Sequence, residues 1–225
     1  MTTSVLAAIR KVLTANAQAA RAEPMRAYMR NQFPFLGVPT PLRRQSLKPI
    51  FAELKGSGAA QLIAIAKQLW ALPEREYQYA ALDMLALRHT ELGVGDLSAL
   101  LLLAQQKSWW DTVDGLASII GDILAGRHDG MDAALSSPNM WLRRIAMLHQ
   151  LGWRARTDSV RLFNYARTLA PEGEFFIQKA IGWALRDYAR HDPDAVAAFL
   201  RAEKDHLAPL SYREANKHLK HLKHD

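Results

Sequence analysis

The chain has 225 residues, 49% of them hydrophobic and 23% charged, and 29 Lys and Arg against 22 Asp and Glu leave a formal charge of +7. That is the balance of a globular protein long enough to bury a sizeable core. The absence of cysteine excludes a disulfide framework, a thiolate nucleophile and any Cys-ligated zinc or iron–sulfur site, and it fits a reducing compartment. The N-terminal residues Met1 to Leu13 carry no signal-peptide pattern. The longest apolar stretch, Leu97 to Ala104, is far short of the ~20 residues that a membrane span needs. A soluble, cytoplasmic, monomeric protein is expected.

The charge is uneven. Residues 1–60 sum to +7, residues 61–140 to −5 and residues 141–225 to +5. Two basic ends around an acidic middle suit a protein that grips a polyanion on both sides of a reactive carboxylate, since Lys and Arg contacts to phosphate supply most non-specific nucleic-acid affinity. A basic surface kept only for solubility accounts for the same numbers.

From the N-terminus, Tyr28 sits between Arg26 and Arg30, an aromatic among cations. Apolar residues then recur at three- and four-residue spacing, as at Leu62, Ile65, Ala66, Leu69 and Trp70, which predicts helix. Pro24, Pro34, Pro39, Pro41, Pro73, Pro138, Pro171, Pro193 and Pro209 are expected between helices or at their first turns. Asp129-Gly130 falls between helical segments rather than in a hairpin.

Four segments can be superposed: Tyr79-Ala-Ala-Leu-Asp-Met-Leu, Asp114-Gly-Leu-Ala-Ser-Ile-Ile, Arg144-Ile-Ala-Met-Leu-His-Gln and Lys179-Ala-Ile-Gly-Trp-Ala-Leu. They start 35, 30 and 35 residues apart. Each opens on a polar or amphipathic residue and continues as an apolar stripe. The expected fold class is all-α, a HEAT-like repeat α-solenoid of stacked antiparallel helical pairs with one concave face. A non-repetitive bundle of compositionally similar helices is the alternative. No linker divides residues 1–225, which reads as one domain.

Three stretches could carry chemistry. In Lys107-Ser-Trp-Trp-Asp-Thr-Val-Asp114, Ser108 is placed to cap a helix on which Trp110 and Asp114 share a face at i and i+4. Trp109 points elsewhere and is expected to pack between helices. An indole face beside a carboxylate suits a cationic or cation-developing group, whereas core tryptophans and capping aspartates are the plainer reading. Arg144 heads the next repeat and reads either as a phosphate clamp or as a salt bridge to Asp114. In Glu174 to Tyr188, Lys179 and Trp183 stand at i and i+4, with Arg186 three residues on and able to reach a phosphate. Ser211 to Lys223 forms a basic helix, read as a solvated face. No H-E-x-x-H, G-x-S-x-G, Walker A or G-x-G-x-x-G pattern is present, and four of the eight histidines crowd the tail. No metal site and no cofactor are expected.

Taken in order, Ala22 to Phe33, Phe35 to Arg44, Leu69 to Glu76, Lys107 to Asp114, Trp141 to Arg144, Glu174 to Tyr188 and Leu207 to Ser211 resemble the AlkD-type DNA alkylation repair glycosylases, a HEAT-like repeat family. The resemblance implies excision of positively charged N3- and N7-alkylated purines from double-stranded DNA, without base flipping. It implies that Asp114 is the catalytic carboxylate, that Trp110 and Trp183 line the deoxyribose, that Arg144 contacts a backbone phosphate and that Tyr28 lies near the lesion. Lys179 and Arg186 join the expected DNA-binding set. A cationic purine leaves neutral, so one carboxylate can serve where ordinary glycosidases use two. A non-catalytic repeat module that binds nucleic acid or protein is the competing expectation.

Overall fold

Ala- and Leu-rich segments punctuated by proline fold as helices throughout. The computed structural model describes residues 2–219 and contains, among them, thirteen α-helices, three short 3-10 segments and no strand. The chain divides between Gln106 and Lys107 into two compact units. No Gly- or Ser-rich linker marks that division in the sequence.

In the first unit, α1 (Thr2–Ala15), α3 (Thr40–Ala52) and α5 (Arg75–Leu87) pack in succession. Behind them, α4 (Ala59–Ala71) packs on α1 and α5, and α6 (Leu97–Ala104) packs on α4. The apolar stripe predicted in α4 is its buried face, with Leu62, Ile65, Ala66, Leu69 and Trp70 at 0–1% exposure. The short helix α2 (Ala19–Tyr28) buries no residue.

Pro24 lies inside α2 and Pro49 inside α3, so Pro24 departs from the expected placement between helices. Its ring fits helical φ, and the hydrogen bond it forfeits lies in a helix open to water, which can serve the orphaned carbonyl. Pro41, Pro193 and Pro209 do stand at helix starts.

The link from α2 to α3 hangs on one carboxylate. Glu76 is fully buried, and its Oε2 accepts from Leu36 N (3.0 Å) while Oε1 accepts from Gly37 N (2.8 Å) and Val38 N (3.1 Å). Gly37 has φ +83°, and a Cβ there would lie 2.1 Å from Gln18 O, so both the dihedral and the close approach exclude other residues. The neighbouring Arg75, also fully buried, lies 3.8 Å from the Phe33 ring centroid. Two of the sequence stretches that carry the family resemblance, Phe35 to Arg44 and Leu69 to Glu76, are therefore parts of one contact.

The second unit repeats the arrangement. The helices α7 (Trp110–Leu124), α9 (Met140–Leu148), α11 (Phe175–Tyr188) and α13 (Pro209–Ala215) pack each on the next. Against them lie α8 (Met131–Leu135), α10 (Ser159–Leu169) and α12 (Pro193–Ala202). Tyr79, Asp114, Arg144 and Lys179, which lead the four superposable segments, are each the fifth residue of their helix, in α5, α7, α9 and α11. The internal repeat is thus a true structural register. Of the basic tail read as a helix to Lys223, α13 ends at Ala215, and residues 220–225 lie outside the described ones. No helix among the described residues is long and apolar enough to cross a membrane.

Where α7 meets α9, a Cβ on Gly121 would sit 2.1 Å from the His149 carbonyl, so only glycine permits this spacing. His149 is itself buried. Its Nδ1 donates to Ala146 O (2.6 Å), which leaves Nε2 to accept from His128 Nδ1 at 2.9 Å. Burial pushes the His149 imidazole down to about 4, well below the unfolded value near 6.5. Because the unfolded chain binds the proton first, stability is expected to fall as pH drops from about 6.5 toward 4, by on the order of 3 kcal/mol. Urea denaturation at pH 7 and pH 4.5 checks this, and His149→Gln is expected to flatten the difference.

Candidate functional site

The segment Lys107 to Asp114 enters α7 through a sharp reversal. Lys107 holds a left-handed φ of +49°, and Trp109 is the N-cap in extended conformation with no side-chain capping bond. Ser108 therefore precedes the cap instead of forming it. The reason is packing. Trp109 turns inward, with its ring centroid 6.1 Å from Trp141 and 5.1 Å from Phe176, and Trp141 and Phe176 also lie 5.1 Å apart. This aromatic cluster joins the starts of α7, α9 and α11, and it supports the expectation that Trp109 packs between helices.

With Trp109 turned in, Trp110 opens α7 and Asp114 follows one turn later on the same face. Trp110, Asp114 and Trp183 are each half-buried. Arg144 on α9 reaches Asp114 with two parallel hydrogen bonds, Nε to Oδ1 at 2.7 Å and Nη2 to Oδ2 at 2.8 Å. Its remaining Nη1 donates to the Phe176 carbonyl of α11, and its Cζ lies 5.4 Å from the Trp183 ring centroid. The Arg144 side chain is 1% exposed, against 22% for Asp114. Of the two readings of Arg144, the salt bridge to Asp114 is formed in this structure, and the guanidinium also donates to α11.

Burial pushes the Asp114 carboxyl above the usual carboxylate range. The hydrogen bonds and charge of Arg144 pull it back, and Asp111 adds a smaller push upward. The result is a partly dehydrated acid fixed in one orientation by a bidentate partner.

Lys179 and Arg186 flank Trp183 on α11, but both are engaged by a residue the sequence did not single out. Lys179 Nζ donates to Glu214 Oε1 at 2.7 Å and Arg186 Nη1 to Glu214 Oε2 at 2.9 Å. Glu214 lies 35 residues from Lys179, and no local motif announces it. The same holds in the first unit for Asp83, which takes Arg43 and Arg44 on its two oxygens at 2.9 Å each. Tyr28 ends α2 with 71% exposure and belongs to the first unit. A cavity of about 530 Å³ lined by Arg44, Lys48, Phe51, Asp83 and Leu87 contains none of the predicted catalytic residues, so cavity volume does not mark the site. No group of three or more His, Asp or Glu that could hold a metal ion occurs among the described residues. The arrangement offers a carboxylate, a guanidinium and two indoles.

Replacing Arg144 by Leu leaves Asp114 without its main counter-charge. The variant is expected to lose about 3 kcal/mol in urea denaturation and to raise the Asp114 pKa further, which carboxyl NMR titration reads directly.

Residues 9–219 match the model of the family described as DNA alkylation repair enzyme. A solved structure described as a predicted DNA alkylation repair enzyme from Enterococcus faecalis superposes with a TM-score of 0.84 at 31% identity, over 91% of this chain and 97% of that one. No functionally curated protein matches this chain in sequence.

Proposed function

The chain belongs to the DNA alkylation repair enzyme family, and from that membership and the site geometry we propose that it is a monofunctional DNA glycosylase. It removes cationic N3- and N7-alkylated purines from double-stranded DNA by hydrolysis of the N-glycosidic bond. The observation that carries this reading is the half-buried Asp114 carboxylate, locked by Arg144 and sharing a helix face with Trp110.

Alkylation at N3 or N7 places a positive charge on the purine, so the bond to C1′ breaks with its electron pair leaving on a base that becomes neutral. Positive charge then develops on the sugar, as in the oxocarbenium-like transition state of glycoside hydrolysis. A fixed carboxylate and the faces of Trp110 and Trp183 meet that charge better than mobile water does, because they need no reorganisation as it forms. Water attacks C1′, Asp114 orients it, and its surplus proton passes to solvent. No proton is delivered to the departing base, so no general acid is needed and the base need not enter a pocket. Arg144 acts through Asp114 as a positioning residue. The exposed Tyr28 ring, together with Lys179 and Arg186, is assigned to the DNA.

The test is release of base from duplex DNA carrying a single 7-methylguanine, with EDTA present. Asp114→Asn keeps one acceptor for Arg144 and is expected to bind the duplex but lose at least 100-fold in excision, on the scale of removing a key electrostatic stabiliser; an unchanged rate would falsify the mechanism. Because the carboxyl pKa is raised, wild-type excision is expected to decline on acidification at a pH above the value of about 3.9 for a free Asp. Trp110→Ala is expected to lower the rate by a smaller factor than Asp114→Asn.

A further inference from the structure

The contact between α11 and α13 is as close as that between α7 and α9. A Cβ on Gly182 would lie 2.4 Å from the Glu214 Cβ and 3.0 Å from Ser211 O, and Ser211 Oγ donates to Gln178 O at 2.9 Å. The absence of a side chain at residue 182 lets Glu214 sit between the two helices, with its side chain 5% exposed.

Three cations converge there. Glu214 Oε1 accepts from Lys179 Nζ at 2.7 Å and Lys217 Nζ at 2.8 Å, and Oε2 accepts from Arg186 Nη1 at 2.9 Å. Lys217 also lies 2.7 Å from Oε2. Burial alone would raise the Glu214 pKa, but the hydrogen bonds and charges of Lys179 and Lys217 overcome it and hold the carboxyl at about 2. One carboxylate against three cations leaves two surplus positive charges in the cluster.

A helix-to-helix link needs one cation on that carboxylate. The second and third add mutual repulsion, which makes sense when a further anion completes the cluster. The cations are not sealed in: the side chains of Lys179 and Arg186 are 24% and 25% exposed, and that of Lys217 is 50% exposed. Each keeps N–H groups beyond the one donated to Glu214. Lys179, Trp183 and Arg186 follow one another at i, i+4 and i+7 along one face of α11, so an anion held by the cluster sits beside the indole assigned to the deoxyribose.

We propose that Glu214 is a positioning residue that assembles Lys179, Arg186 and Lys217 into one binding site for a phosphodiester of the DNA backbone, which sets the register of the sugar against Trp183. The proposal rests on the reading of DNA as the substrate. It adds Lys217 and Glu214 to the binding machinery and gives a buried acid a part in holding an anion.

The experiment is fluorescence anisotropy of the full chain with undamaged duplex DNA across a range of salt concentrations. Lys217→Ala, a change at a half-exposed position, is expected to weaken binding several-fold and to reduce the slope of log K against log salt by about 0.9, the loss of one phosphate contact. Glu214→Gln supplies the sharper contrast. It raises the net charge by one, so bulk attraction alone would tighten binding, whereas loss of cation positioning weakens it several-fold and Glu214→Asp restores part of the loss. Unchanged affinity and slope in Lys217→Ala, or tighter binding in Glu214→Gln, overturns the site while leaving the DNA reading standing. Failure of the wild-type chain to bind duplex at all overturns both.

Discussion

The second unit turns on a single bidentate ion pair. Arg144 gives two hydrogen bonds to Asp114 on α7 and one to the Phe176 carbonyl on α11, so one guanidinium spans three successive helices. A planar fork of fixed geometry does this where a lysine could not, because the donors are already directed when the side chain arrives. Taking a guanidinium to 1% exposure costs several kcal/mol, and the gain is an acid whose orientation is set before any ligand arrives. Were Asp114 held by water, it would have to reorganise as charge developed on the proposed sugar cation. Held by Arg144, it is preorganised.

Two glycines let such pairs exist. Gly121 brings α7 against the His149 carbonyl, and Gly182 brings α11 against Glu214 and Ser211. In both places a methyl group would force the helices apart and lengthen the neighbouring charged contacts, Asp114 to Arg144 in one and Lys179 to Glu214 in the other. Two seams of the helix row, α7 with α9 and α11 with α13, therefore share one device: a glycine for approach and a carboxylate–cation pair for register. In the first unit Asp83 takes Arg43 and Arg44 from α3, with no glycine in either helix.

Much of this was legible in the sequence, and the illegible part has a common cause. The all-helical class follows from apolar spacing, and the repeat register is real enough that Tyr79, Asp114, Arg144 and Lys179 all fall fifth in their helices. The shared face of Trp110 and Asp114 follows from i and i+4 alone. The roles of Glu76, Asp83 and Glu214 were not visible because the helix-to-helix partners that define them lie 28–40 residues away, and nothing local distinguishes a buried carboxylate from a solvated one. Ser108 had the right chemistry for a cap, but packing the Trp109 ring against both Trp141 and Phe176 makes Trp109 the N-cap and leaves Ser108 one residue ahead of it.

The overall charge has to be reread in this light. The basic composition of residues 141–225 includes Arg143 on Glu172, Arg144 on Asp114, Arg161 on Asp132 and Arg167 on Glu203, all committed within the protein. A sum over the sequence counts these as if they faced a polyanion. What reaches outward depends on how many cations meet each carboxylate and how exposed they are. Glu214 meets three cations, and it lies one helix from the Asp114 pair, where cation and acid are matched. A proposed reaction that develops positive charge on a sugar and holds its phosphates nearby calls for this contrast. A surplus of cations beside the sugar would oppose the charge that forms there; in the proposed arrangement the phosphodiester itself meets that surplus, while Arg144 is already matched by Asp114.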